Sequence, residues 1–160
     1  IPFHTDHPDA DIMAWRCERQ DQEDGAQLLV DGWRALALCG PDVRERLIEA
    51  AVDVRVRADS PPARVHIVRE HTHGDRLFFA PWLVLNGSTP NTEEAWNLLK
   101  ESIERLANQE VVEVRLEEGE VLIVDNCRML HGRRAVGVGS GRLLRRFWIT
   151  TAGHPLVLTR

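Results

Sequence analysis

Residues 121–133 read Val121-Leu122-Ile123-Val124-Asp125-Asn126-Cys127-Arg128-Met129-Leu130-His131-Gly132-Arg133. The first four side chains form a short, wholly apolar run, which predicts a buried strand over Val121 to Val124. Asp125-Asn126 end it, so His131 sits just beyond a buried strand. Taken alone, such a histidine is an ordinary hydrogen-bonded side chain. Its meaning comes from what stands at the other end of the chain.

There the sequence reads Pro2-Phe3-His4-Thr5-Asp6. In extended chain, residues i and i+2 share a face, so His4 and Asp6 can reach one ion together. A His-x-Asp pair alone is weak, because such pairs arise by chance on many surfaces. With His131 arriving from a distant strand, however, two imidazoles and one carboxylate would fill a triangular face of an octahedron. The opposite face stays open, as a non-haem Fe(II) site that takes substrate and O2 requires. Arg142 and Arg146 follow in a segment expected to be a strand, Arg142 to Thr151, where both fall on one face. A guanidinium suits a planar carboxylate, which it grips through two N–H groups. The set points to an oxygenase that activates O2 with iron and an organic acid. The same ligands could also hold Zn or Mn for a hydrolase.

Between these motifs, strands are expected at Met13 to Arg19 and Ala26 to Val30, separated by the polar loop Gln20 to Gly25. Asp31 is placed to cap a helix through Leu38, with Gly40 as its terminator. Pro41 opens a second helix to about Ala51. Val52 to Arg57 alternates apolar and charged residues as a half-buried strand does, and Asp59-Ser60-Pro61-Pro62 breaks it. Arg64 to Glu70 and Arg76 to Leu85 read as two strands joined by His71-Thr72-His73-Gly74-Asp75. Asn91 with Glu94 resembles a capping box for the longest helix, to about Asn108, with Ala95, Leu98, Leu99, Ile103 and Leu106 on its apolar face. Val111 to Leu116 is a strand, and Glu117-Glu118-Gly119-Glu120 turns the chain into Val121 to Val124. Many short strands with few helices predict a mainly β (α+β) protein, a β-sandwich or jelly roll decorated by helices.

With 160 residues, 43% of them hydrophobic, the chain fits a single domain over residues 1–160 with a sizeable core. A net charge of −5 speaks against a general nucleic-acid partner, which would call for a basic surface. No apolar run approaches the roughly 20 residues of a membrane span. Cys17, Cys39 and Cys127 form no paired framework, as expected of reduced thiols in the cytoplasm. A small molecule is therefore the expected partner, and nothing in the sequence bears on oligomeric state.

The stretch Val124 to Arg133 resembles the distal-histidine segment of the taurine dioxygenase and γ-butyrobetaine hydroxylase superfamily, the Fe(II)/2-oxoglutarate-dependent oxygenases. Pro2 to Asp6 is similar to their proximal motif, and Gly25 to Gly32 to the region between the two. The resemblance implies a double-stranded β-helix (jelly roll) core with helical insertions. It implies Fe(II) held by His4, Asp6 and His131, with 2-oxoglutarate and O2 as co-substrates. Arg142 would pair with the distal carboxylate of 2-oxoglutarate. Arg146 would lie near the cofactor's other end or an anionic substrate group. Gln27 falls near a position where relatives carry a Ser or Thr that helps hold 2-oxoglutarate. Phe79 and Trp82 are candidate substrate contacts, though with Phe78 they would be core in most folds. The implied reaction is hydroxylation, desaturation or ring closure at an unactivated C–H of a small anionic or amino-acid-like molecule, with release of succinate and CO2. Asp6 separates the chain from related halogenases, which lack that carboxylate. Relatives carry a substantial segment before the His-x-Asp motif, so either the early strands of the jelly roll lie in a missing part, residues 1–160 being the C-terminal part of a longer fold, or the fold is pared down. A non-catalytic small-molecule-binding jelly roll, or an inactive remnant, is the alternative.

His71, His73 and Asp75 form a rival metal cluster, but Gly74 and Asp75 look like turn residues. His7 is expected on the opposite face from Asp6, His154 in a terminal turn, and Trp15 and Trp148 in the core. Cys127 reads as a small packed residue, and Arg133 and Arg134 as solvated. The glycine-rich loop Gly137 to Gly141 lacks the strand-to-helix setting of a phosphate cradle.

Overall fold

Period-two alternation builds the first long strand, β1 (Ile12–Arg19), whose Met13, Trp15 and Cys17 all point inward. The computed structural model describes residues 1–55, 59, 61–71, 74–151 and the backbone of 157–158. β1 lies between β8 (Val121–Asp125) and β10 (Leu143–Ile149), both antiparallel to it, and the short β11 (Val157–Leu158) extends the sheet beyond β10. A second, three-stranded sheet runs β7 (Val112–Val114), β2 (Gln27–Asp31), β9 (Met129–Arg133), again antiparallel.

The two sheets share an apolar layer. Met13, Trp15 and Cys17 of β1 and Val124 of β8 pack with Leu29 of β2 and Leu116; Met129, Leu144 and Trp148 close around them. The opposite face of the second sheet meets the helices α1 (Gly32–Cys39), α2 (Pro41–Glu49) and α3 (Pro90–Glu110). There Val30 and Leu130 join Leu36, Leu47, Leu99 and Ile103. Neighbours in one strand thus serve opposite layers: Leu29 and Met129 face the first sheet, Val30 and Leu130 the helices. By the same alternation His131 and Arg133 point between the sheets.

The caps follow local chemistry. The Asp31 side chain accepts from the Arg34 N–H, and Gly40, at φ +89°, ends α1 before Pro41 starts α2. α3 departs from expectation. Its N-cap is Thr89, two residues ahead of the expected cap at Asn91; Thr89 is reciprocally bonded with Thr92, and Pro90 fills the first helical position. Leu98, expected on its apolar face, is 39% exposed, while Ala95, Leu99, Ile103 and Leu106 are buried.

Other departures lie at strand ends. The segment expected as one strand from Arg64 to Glu70 divides into β4 (Ala63–His66), paired with β3 (Ala51–Val54), and β5 (Val68–Arg69). Ile67 breaks the ladder: its N–H goes to the Ala50 carbonyl, and its own carbonyl accepts from Phe78. β6 (Arg76–Leu77) pairs with β5 as a hairpin but stops at Leu77, not Leu85, because the Phe79 backbone is bonded to Thr5. The expected strand from Val52 is described only to Val54; residues 56–58 lie outside the described part. β9 and β11 were not anticipated. Among the described residues no helix is long and apolar enough to cross a membrane.

Candidate metal centre

The His-x-Asp segment is stitched down residue by residue. His4 forms a single antiparallel bridge with His131, through His4 N–H to His131 O at 3.0 Å and the reverse at 2.9 Å. The Thr5 N–H reaches the Phe79 carbonyl at 2.7 Å, and its hydroxyl accepts from the Phe79 N–H at 2.9 Å. The Asp6 N–H donates to Asn126 Oδ1 at 2.8 Å, and Asn126 Nδ2 donates to the carbonyls of Ala10 and His7 at 2.8 and 3.2 Å. The segment is therefore not the regular strand expected, yet it keeps the alternation: Thr5 is buried, while His4 and Asp6 turn toward His131.

One ligand atom from each of His4, Asp6 and His131 lies within 4.8 Å of the others, and among the described residues this is the cluster able to hold a metal. His131 Nε2 is 3.7 Å from Asp6 Oδ2. His131 is 5% exposed and lies edge-on to Trp15, ring centroids 4.8 Å apart. Burial, then the charge of His4, pulls its pKa down to about 4, against the pull of Asp6, so near neutral pH it is an uncharged ligand with a free lone pair. The His4 ring meets the Pro2 carbonyl through Nδ1 at 2.9 Å. Only a protonated Nδ1 can make that bond, which leaves the lone pair on Nε2. Two imidazoles and a carboxylate, fixed by backbone contacts, match the donor set of a non-haem ferrous site.

Two members of the rival cluster, His71 and Asp75, lie among the described residues. Asp75 is held by Arg44, whose Nε and Nη2 reach its carboxylate at 2.5 and 2.7 Å, and His71 is exposed. His73 and His154 lie outside the described residues. His7 accepts from the Asp9 N–H and sits beside Trp148.

A cavity of about 340 Å³ opens beside the triad, lined by His4, His131, Gln27, Arg133, Arg142 and Arg146, with Trp15 and Leu144 as apolar wall. Arg142, Leu144 and Arg146 alternate onto its wall from the start of β10. The Arg142 Nε donates to Gln20 Oε1 at 3.1 Å. Gln20 is itself fixed by the Leu116 carbonyl at 2.6 Å and the Asp21 N–H at 2.8 Å. This aims the guanidinium and leaves its two Nη groups for a ligand. Gly25, at φ +88°, lies under this arginine, and a Cβ there would stand 2.8 Å from Arg142 Nε. Gln27 is 6% exposed in the cavity wall.

Arg146 has a partner that its spacing did not reveal. Its Nη1 lies 3.2 Å from both Asp6 oxygens, and its guanidinium stacks 4.9 Å from the Trp148 ring. It reaches the cavity as a counter-charge to Asp6. Trp82 is 58% exposed with its ring 5.2 Å from that of His4. The expectation for Phe79 needs correction: its ring is 2% exposed against Trp96 in the helical core, and only its backbone serves the site. Arg133, expected to be solvated, is half-buried in the cavity wall, whereas Arg134 is exposed and paired with Glu113.

Comparison with known proteins bears on the fold. An asparagine oxygenase solved with Fe(II), 3-hydroxyasparagine and succinate superposes with a TM-score of 0.72 at 21% identity, over 93% of this chain and 49% of its own. The non-heme iron oxygenase OrfP, solved with Fe and alpha-ketoglutaric acid, gives 0.69 at 16% identity, over 94% of this chain and 49% of its own. At such identities the likeness establishes the fold, and the chain spans about half the length of these structures. No curated protein matches by sequence. The model of the family described as taurine catabolism dioxygenase TauD, TfdA matches residues 1–148, from before the first histidine to the end of the arginine-bearing strand, and the chain belongs to that family.

Proposed function

We propose that this chain carries the metal and keto-acid site of an Fe(II)/2-oxoglutarate-dependent dioxygenase on a jelly-roll core, residues 1–160 being one oxygenase domain. The observation that carries the reading is the convergence of His4, Asp6 and His131 on one point beside a cavity into which Arg142 projects. When bound, the ferrous ion and 2-oxoglutarate supply the chemistry: O2 oxidises an unactivated C–H bond to an alcohol while the keto acid becomes succinate and CO2.

The protein's part is to hold and to exclude. His4 and His131 through their imidazoles, and Asp6 through its carboxylate, would hold the metal. The two Nη groups of Arg142 take the far carboxylate of the keto acid, with Gln27 beside them. Trp15 and Leu144 keep that end dry, which strengthens each charge contact. Arg146 offsets the charge of Asp6 and offers a cation to the keto acid's other end or to an anionic substrate. Trp82, exposed over His4, is the substrate contact we favour.

Amino-acid-derived ligands in the asparagine oxygenase and in OrfP, one of whose structures holds a hydroxyarginine, support a small, amino-acid-like substrate. Three unpaired cysteines suit a reducing compartment such as the cytoplasm.

The test is anaerobic addition of Fe(II) and 2-oxoglutarate. The expected result is a weak visible charge-transfer band in the wild type that is lost in Asp6→Ala, together with substrate-dependent succinate release. Undiminished succinate formation in Asp6→Ala would remove Asp6 from the site, and metal that binds the wild type without the band would overturn the keto-acid reading. Failure to retain metal would favour a binding module or an inactive remnant.

A further inference from the structure

We propose that Arg133 is a second cationic contact for the far carboxylate of the keto acid, closing with Arg142 and Gln27 into a clamp that selects a dicarboxylate. The inference rests on the keto-acid reading of the cavity and deepens it.

Arg133 follows His131 at i+2 on β9, so both side chains point between the sheets. Its cross-strand partner on β2 is Gln27, which places the guanidinium and the carboxamide side by side on the cavity wall. The backbone beneath is fixed, since the Arg133 N–H donates to the Ile1 carbonyl at 3.2 Å. The head group is another matter: Arg133 Nε is buried and has no hydrogen-bond partner.

Among the described residues neither Arg133 nor Arg142 has a carboxylate within ion-pair distance, unlike Arg44, Arg128, Arg134 and Arg146. Two half-buried guanidinium groups thus face one cavity without a counter-ion. Burial first, and then the charge of Arg133, depress the pKa of Arg142, so each arginine raises the cost of the other. A pair of cations with no anion is costly to bury. A bound carboxylate removes that cost, with one guanidinium on each of its edges. The Nε of Arg142 is taken by Gln20, so its two Nη groups are the donors left to a ligand of the cavity that Arg142 lines.

The experiment titrates Fe(II)-loaded protein under anaerobic conditions with 2-oxoglutarate and, separately, with 2-oxopentanoate, a keto acid of the same chain length that lacks the far carboxylate. Fe(II) affinity is measured first. Arg133→Gln is expected to weaken 2-oxoglutarate by about ten- to a hundredfold, the size of a lost charge-assisted contact, and to leave 2-oxopentanoate and Fe(II) within about twofold. Arg133→Lys should recover part of the loss. If Arg133→Gln binds 2-oxoglutarate like wild type while Arg142→Gln does not, the clamp fails and the keto-acid reading stands. An equal loss for both keto acids makes Arg133 a structural residue and also overturns the clamp. Wild-type protein that holds Fe(II) but neither keto acid overturns both readings.

Discussion

Asn126 is a buried side chain that anchors the Asp6 segment of the candidate metal centre, although it is not among the candidate ligands. It is 3% exposed and makes three hydrogen bonds, accepting from the Asp6 N–H and donating to the carbonyls of His7 and Ala10. Asn126→Ala removes all three and leaves the Asp6 N–H and the Ala10 carbonyl without these partners, while the His7 carbonyl keeps the Ala10 N–H. At about 1 kcal/mol for each bond, and more where a buried group stays orphaned, the loss should be roughly 2–4 kcal/mol. For a chain of this size about 3 kcal/mol corresponds to a fall in Tm of roughly 6–12 °C. Urea unfolding followed by tryptophan fluorescence measures the first quantity, and anaerobic metal titration measures the second effect. With Asp6 no longer anchored, metal affinity should drop by about tenfold or more, as when an outer partner of a ligand is lost. Asn126→Asp sharpens the test. The new carboxylate can still accept from the Asp6 N–H but can no longer donate to two carbonyls. Its folded pKa should therefore be raised, so the variant should be most stable below the ordinary carboxyl range and lose stability as pH rises through the folded value. Wild-type midpoint and slope in Asn126→Ala would refute the reasoning. Lower stability with unchanged metal affinity would reduce Asn126 to a structural clip.

Gln20→Leu removes the acceptor that aims Arg142 and should raise the KM for 2-oxoglutarate about three- to tenfold without changing Fe(II) affinity; an unchanged KM would show that Gly25 and the loop alone position the arginine. Asp21 should set the acid limb of stability. The Ser140 hydroxyl, then the N–H groups of Asp24, Glu23 and Gly137, hold its pKa at about 2 against the opposing effect of burial. A depressed carboxyl contributes stability above its unfolded value near 3.8 that is lost as pH falls toward 2, so Asp21→Asn should flatten the decline in that window, read from urea midpoints at stepped pH.

Much of the frame was legible because it is local in the chain. The Asp31 cap, the Gly40-Pro41 junction and the Glu117-Glu118-Gly119-Glu120 turn are each decided within a few residues, and the structure has them where the sequence puts them. β9 escaped because Met129 to Arg133 holds only two large apolar residues, and its strand character comes from pairing with β2. The expected strand from Arg76 to Leu85 failed for the converse reason. Phe78, Phe79, Leu83, Val84 and Leu85 look like strand, but the Phe79 backbone is claimed by Thr5, far away in sequence. The cap of α3 was misplaced by a local competition: Thr89-Pro90 and Asn91-Thr92 both offer a start, and proline's suitability for the first turn favours the earlier one.

The site divides along the same line. Ligand chemistry is carried by residue type, so His4, Asp6 and His131 could be picked out, and Arg142 and Arg146 share the cavity wall as their spacing requires. What holds those groups in place is carried by pairings across the chain. Nothing local to Asn126 says that it meets the backbone of Asp6, and nothing local to Arg146 says that its guanidinium straddles that same carboxylate. Arg133 is the instructive case. Beside Arg134 it looks like half of a solvated pair, yet strand alternation sends the two side chains to opposite faces, Arg134 out to Glu113 and Arg133 inward beside Gln27. Once β9 is known to be a strand, the i, i+2 relation to His131 is enough to turn Arg133 toward the metal side. The missing information was the strand rather than the arginine. A histidine placed inward on an unrecognised strand therefore gives a physical reason to examine the residue two positions on.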